Sequence, residues 1–432
     1  MRDEMKPRAI EERNPAIYFV ALYIFISMGR LHELVPGLAG LPVGKIFLLL
    51  ALWAAFSLDK GRPPLIENSH VVIKRMIYFA ILAVISLSFS VWKGASFEML
   101  KGPLLSMVIL FFLVLKTTKS YADLKFYFFS LLIIAGSLSM STATLGATGR
   151  LSVGSTFDPN DLAMVLVTIL PFSIIYFLKS SGTMRMAYGG LMVVVLLAII
   201  LTGSRGGFLG LVAVVGYLVF KRYPGVDGEK GKIYFFRKIT LTAVAVSVFL
   251  ALSPPEYIER INSLFNLEDD YNVSNSKKGR LGIWASGIDI MMSRPYGVGI
   301  GAFPAAQGML ADDGAYKTAH NTLLLVGVEL GFLGLLLFLS FYVLAIKSLS
   351  KIKSASTPER REMCLFGIAL RASLLGFFVT SFFLSQAYSS LFYFLIALSV
   401  LLSLLYEKNG SGCNESDEAG GSSKSAGSGI LK

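Results

Sequence analysis

Long apolar blocks recur through this 432-residue chain, and they constrain its fold more than any other feature. A helix crossing a bilayer needs about 20 mostly apolar residues, because the hydrocarbon layer is roughly 30 Å thick and each helical residue rises about 1.5 Å. By that criterion roughly twelve spans are expected. They fall at 17–34, 41–58, 71–91, 99–115, 124–141 and 162–178 in the first half, then at 186–202, 206–220, 239–252, 322–346, 363–384 and 388–406. Charged residues make up only 16% of the chain against 54% hydrophobic, too few to coat a soluble surface of this size. The expected class is an all-α polytopic membrane protein. The two cysteines, Cys364 and Cys413, sit in a predicted span and a polar tail, so neither a disulfide framework nor a cysteine metal site is expected.

A net charge of +12 would point to nucleic acid in a soluble protein. Here the distribution of the cations explains it. Lysine and arginine in short loops are retained in the cytoplasm. With the N-terminus (Arg2, Lys6, Arg8, Arg13) inside and the loops counted alternately, Lys60, Arg62, Lys74, Arg75, Lys116, Lys119, Lys125, Lys179 and Arg185 all fall inside. So do the later clusters around Lys221, Arg237, Lys351 and Arg360. The alternation holds at every loop, which predicts an even number of spans with both termini cytoplasmic. Nucleic-acid binding is not expected. The first apolar block is long and lacks a small-residue cleavage site, so it reads as a span and not as a signal peptide.

The domain organisation follows: nine spans in residues 1–252, one large outer loop at 253–319, three spans in 320–406 and a disordered cytoplasmic tail at 407–432. The loop is long enough to have structure of its own. Ser253-Pro254-Pro255-Glu256 has the form of a capping box with proline at the first helical position, opening a short helix to Phe265. Arg280, Trp284, Ile288 and Met291 fall on one face of a second helix, closed by Pro295 and suited to the membrane–water boundary. The glycine-rich run Pro295 to Phe303 lacks the Lys-Ser/Thr of a nucleotide-binding loop, and close packing is the expected reason for its glycines.

Charges in the outer half of a membrane are costly and each needs a reason. Arg205 stands in Thr202-Gly203-Ser204-Arg205-Gly206-Gly207, between two apolar blocks. Glycines that bare backbone N–H groups beside a fixed cation make an anion site, although a snorkelling arginine in a turn is the plainer alternative. Arg150 and Arg280 are further outer cations, and either alone reads as a surface charge. His320 opens the tenth span, and its near-neutral pKa suits a general base for a hydroxyl. His32, with Glu33, faces outward as a competitor, whereas His70 falls inside. Glu329 lies about 13 Å along the helix from His320. Arg371 enters the next span from the other side to a comparable depth, so the two are expected to form a structural ion pair near the bilayer middle, a feature that also keeps a secondary transporter or flippase open. The outer face has no Asp-x-Asp pair, no His-Glu-x-x-His and no serine nucleophile elbow, so neither a carboxylate-bound metal nor a covalent serine is favoured.

Taken in order, these motifs resemble the O-antigen ligase and O-antigen polymerase superfamily of bacterial envelope enzymes. The resemblance runs from Phe157-Asp158-Pro159-Asn160-Asp161-Leu162-Ala163 through the Arg205 turn, Gly279-Arg280 with Trp284, and Arg294-Pro295-Tyr296-Gly297-Val298-Gly299-Ile300-Gly301. It ends on His320-Asn321-Thr322-Leu323-Leu324 and Glu329-Leu330-Gly331-Phe332-Leu333-Gly334, covering roughly 149–346.

The resemblance implies a glycosyltransferase-C-like fold in the bacterial inner membrane. It also implies transfer of a glycan from an undecaprenyl diphosphate carrier to an acceptor at the periplasmic face, without metal or cofactor. Arg205 and Arg280 would grip the diphosphate, with Arg150 carried over more weakly. His320 would take the proton from the acceptor hydroxyl, and direct displacement would invert the anomeric centre. A ligase uses a lipid A–core acceptor and a polymerase the next carrier-linked repeat unit; a ligase attaching glycans to protein is a further possibility. The ligase reading leads.

Overall fold

The computed structural model describes residues 13–30, 33, 37–38, 41–58, 65, 69–140, 151–152, 158–223, 279–310, 316–353 and 357–421. Among them it is all-helical apart from a single bridge at Leu151. Eight helices are long and apolar enough to cross a membrane. These are α3 (His70–Phe89), α4 (Lys93–Thr117), α5 (Tyr121–Met140), α6 (Pro159–Lys179), α7 (Gly182–Leu201), α11 (Thr322–Ser350), α12 (Pro358–Ser381) and the apolar part of α13 (Ser390–Gly421). Three shorter apolar helices, α1 (Ala16–Gly29), α2 (Val43–Ser57) and α8 (Arg205–Phe220), match three more expected spans. The remaining one, at 239–252, lies outside the described residues, as does the capping-box helix at 253–265.

Local chemistry sets several of the boundaries. In α4 the helix begins six residues before the expected span and absorbs Pro103 in a π-helical turn, Leu100–Leu104, where the missing N–H costs no regular bond. Helix α6 starts on Asp158, whose carboxylate accepts from the N–H groups of Asn160 and Asp161, with Pro159 at the first helical position. At the other end of the chain, α13 keeps a helical backbone to Gly421, past the point where composition predicts a disordered tail.

The core is a bundle in which α6 packs against α5, α7, α8 and α12, while α11 and α13 pack against each other and against α3, α4 and α12. Helices α6, α8 and α12 approach closely at small residues: a Cβ at Gly207 would stand 2.6 Å from Ala163, and one at Gly376 2.8 Å from Val214. Such crossings let backbones touch where lipid offers no hydrophobic drive. Helix α9 (Arg280–Ser293) ends before Pro295, as the sequence predicts. Its buried face is Ile283, Gly287 and Ile290, packed on the start of α11. Of the face expected at the membrane–water boundary, Ile288 is 50% exposed, whereas Trp284 and Met291 pack against the protein.

The glycine-rich run does serve packing. Helix α11 breaks at Gly331, where φ is 69°. The break frees carbonyls of the preceding turn, and the run enters it: Val298 donates to Val328 O at 2.9 Å and Gly299 to Glu329 O at 3.0 Å. Phe332 returns a bond to Pro295 O at 3.0 Å, and Val91, beyond the end of α3, donates to Val298 O at 3.0 Å. Irregular backbone at membrane depth is tolerated only with this kind of internal pairing. Gly299, at φ 101°, sits against Ser90 so closely that any side chain would collide.

Candidate functional site

One end of the bundle gathers the first turns of α6, α8, α9 and α11 and the last turn of α12. The connector 382–389, between α12 and α13, ties them together. Ser385 Oγ accepts the backbone N–H of His320 at 3.0 Å. Thr322 Oγ1 donates to Leu384 O at 2.7 Å and accepts from the Gln386 N–H at 2.9 Å. The Gln386 side chain then donates to Asp161 Oδ1 at 2.7 Å, reaching α6.

His320 immediately precedes the cap of α11, where Asn321 Oδ1 accepts from the Leu324 N–H at 3.0 Å. It holds a left-handed backbone, φ 45°, uncommon outside glycine. Its Nε2 lies 2.9 Å from Thr318 Oγ1. Trp284 fixes α9 beside it, donating from Nε1 to Ala319 O at 3.0 Å and setting its ring edge-on to Phe382 at 5.7 Å. Arg280 lies one turn earlier on α9, near enough for its charge to act on the imidazole. Burial, and after it the Arg280 guanidinium, hold His320 below the ordinary histidine value, while Asp158 pulls the other way. The neutral, proton-accepting form is therefore favoured.

Arg205 is the first residue of α8, following a left-handed turn at Gly203 and the cap Ser204, whose Oγ accepts from the Gly207 N–H at 3.1 Å. The positive end of the helix dipole adds to the guanidinium there. Its neighbour Gly206 faces the Phe383 ring, at ordinary van der Waals distance for an added Cβ, so the turn that bears Arg205 packs on the same connector that holds His320. Arg150 lies outside the described residues, as does His32. Leu151, next to Arg150 in sequence, donates to Leu201 O at 3.0 Å, just before the Arg205 turn. Glu33 pairs with Arg30 at 2.9 Å. Among the described residues no group of three His, Cys, Asp or Glu side chains is placed to hold a metal ion.

The expected Glu329–Arg371 ion pair is not formed. Glu329, 2% exposed, accepts from Tyr388 Oη at 2.7 Å and from the Phe303 N–H, at the start of α10 (Phe303–Leu310), at 3.3 Å. Arg371 donates to the Leu349 carbonyl near the opposite end of α11. Helical side chains lean toward their own N-terminus, and α11 and α12 run antiparallel. The two side chains therefore lean away from each other. Sequence reasoning gave Asp161, Ser385 and Gln386 no role of their own; Ser385 and Gln386 form a polar stretch in a short connector between two apolar spans, and Asp161 lies in the first turn of α6.

Fold and site together define a polytopic helical membrane protein with a polar, arginine- and histidine-bearing site where helix ends converge. Residues 190–339 match the family model described as O-antigen ligase, a stretch that takes in Arg205, Arg280, His320 and Glu329. That match supports the chain's place in the O-antigen ligase and polymerase superfamily, as its motif order leads one to expect. Comparison with curated proteins gives no match.

Proposed function

We propose that this protein is an O-antigen ligase-type glycosyltransferase of the inner membrane, moving a glycan from undecaprenyl diphosphate to an acceptor hydroxyl at the periplasmic face. The observation that carries the reading is geometric: α9, which bears Arg280, is tied through Trp284 to Ala319 beside His320, and the connector that holds the His320 backbone also packs on the turn bearing Arg205. In this reaction the acceptor O–H gives its proton to the neutral His320 imidazole as its oxygen attacks the anomeric carbon. The bond from that carbon to the diphosphate breaks, and the leaving group carries away the electron pair. Diphosphate needs charge stabilisation more than protonation, and arginines supply permanent, bidentate cations. Arg205 and Arg280 fill that role, with Arg150 a further candidate. The centre inverts, and arginines take the place a metal would have.

A lipid A–core acceptor makes the enzyme a ligase; a second carrier-linked repeat makes it a polymerase using the same groups. The transporter alternative rested on the Glu329–Arg371 pair, which is not formed. Incubating the purified protein with carrier-linked glycan and each acceptor tests the proposal. Transfer by the wild type and none by Arg205→Ala or His320→Ala is expected, with protein levels held. Normal transfer in either variant removes that residue from the mechanism, and one-step transfer against chain growth separates ligase from polymerase.

A further inference from the structure

Against the connector lies a cavity of about 490 Å³, bounded by the end of α1, the start of α2, α4 and the start of α6. Ser385, which holds the His320 backbone, also borders this cavity. Its volume falls within the roughly 300–1,000 Å³ usual for ligand sites. It differs from the Arg205–His320 region in its chemistry. The charged groups at its wall are largely compensated: Arg30 pairs with Glu33 at 2.9 Å and lies within electrostatic reach of Asp161, and Asp161 already takes a bond from Gln386. Lys45 contributes one further cation. The rest of the polar wall is neutral, from the Gln386 amide and the hydroxyls of Ser27 and Ser389.

A carboxylate, an amide and several hydroxyls over methionine and tyrosine side chains suit a neutral molecule rich in hydroxyl groups. Carboxylate and amide oxygens accept from such hydroxyls, and serine hydroxyls both donate and accept. A diphosphate would find Lys45 as its one further cation, because Arg30 is already paired, and would also face the Asp161 carboxylate. An acyl or prenyl chain would leave these polar groups unpaired. We infer that this cavity is a saccharide subsite, receiving part of a glycan whose reacting end lies toward His320. The inference rests on the glycan-transfer reading and gives it a substrate-recognition surface on α1 and α6.

The test is cysteine protection on the full-length protein in detergent micelles. Ser389→Cys is made together with Cys413→Ser; the other native thiol, Cys364, is buried. Labelling by an impermeant maleimide is followed with three probes: carrier-linked glycan, the saccharide released from it, and sugar-free undecaprenyl diphosphate. Carrier-linked glycan is expected to slow labelling about tenfold, the released saccharide to protect at higher concentration and undecaprenyl diphosphate not to protect. Gln386→Leu is expected to raise the concentration needed about tenfold, the scale of one lost hydrogen bond. Ser27→Cys repeats the measurement from α1 should Ser389→Cys fail to fold.

Protection by the glycan with none by the released saccharide still supports the subsite and assigns it to the donor. Equal protection by undecaprenyl diphosphate, or protection by no probe, overturns the inference. Because the readout is binding, it separates from catalysis: His320→Ala should lose transfer and keep protection. Transfer that follows the Arg205 and His320 predictions while protection fails leaves the enzyme standing without this subsite.

Discussion

The His320 backbone N–H donates to Ser385 Oγ at 3.0 Å across 65 residues of sequence, so the candidate base is held by the connector between the last two spans. That bond helps fix a left-handed conformation at His320, and with it the direction of the imidazole. Ser385→Ala removes the acceptor and is expected to reduce the transfer rate about three- to tenfold, the scale of one net hydrogen bond of about 0.5–1.5 kcal/mol. Ser385→Thr should restore it. Carrier affinity, measured separately, should not move.

The pH profile gives a second check. A general base works only when neutral, and burial followed by Arg280 depresses the His320 pKa. The acid limb of the transfer rate is therefore expected below the ordinary histidine range. Arg280→Gln removes a charge that lowers this pKa, so the limb should move to higher pH. Asp158→Asn removes a charge that raises it and keeps the helix cap, so the limb should move to lower pH. Equal, unshifted profiles in both variants would remove His320 as the titrating group.

Glu329 is expected to act through stability. Glu329→Ala leaves Tyr388 Oη and the Phe303 N–H without their acceptor, and each buried orphan costs about 1–3 kcal/mol. Thermal unfolding in detergent should show a loss of at least about 2 kcal/mol, with part recovered in Glu329→Gln, which keeps one carbonyl oxygen. A charge swap of Glu329 and Arg371 should give no rescue. Rescue would restore the ion pair that the structure rejects.

Gly331→Ala tests the broken helix. An L side chain at φ 69° costs about 1–2 kcal/mol before any contact, and here the Cβ would also collide with the Pro295 carbonyl. Less folded protein and a lower unfolding temperature are expected. A neutral result would show that the Gly-rich run can leave the break in α11 at no cost.

The spans were legible because bilayer thickness imposes a length and an apolar character that no packing detail overrides. Eleven of the twelve expected blocks coincide with apolar helices, and the other lies outside the described residues. The second outer helix was legible from the helical spacing of Arg280, Trp284, Ile288 and Met291 and from Pro295 at its end, though its buried face was not. There the small Gly287 lets Leu324 approach, which apolar counting cannot register. The Glu329–Arg371 expectation failed because depth was counted without direction. Tyr388, the partner Glu329 takes, carried no signal at all: it lies 59 residues away in a short connector. Ser385 and Gln386 stand out in sequence only as a polar stretch between spans, and their roles come from tertiary contacts with the start of α11 and with α6.

The seat in α11 draws on residues from three distant parts of the chain: Ser90 and Val91 after α3, the run from Pro295 to Phe303, and Val328 to Phe332. Tyr388, just before α13, closes it through Glu329. During biosynthesis the Val91 N–H therefore waits for Val298, and Glu329 in turn waits for Tyr388 in the last connector to emerge from the insertion machinery. A chain shortened before Tyr388 would keep every arginine and the histidine yet lack the piece that locks the seat, which makes it a natural target for membrane quality-control proteases.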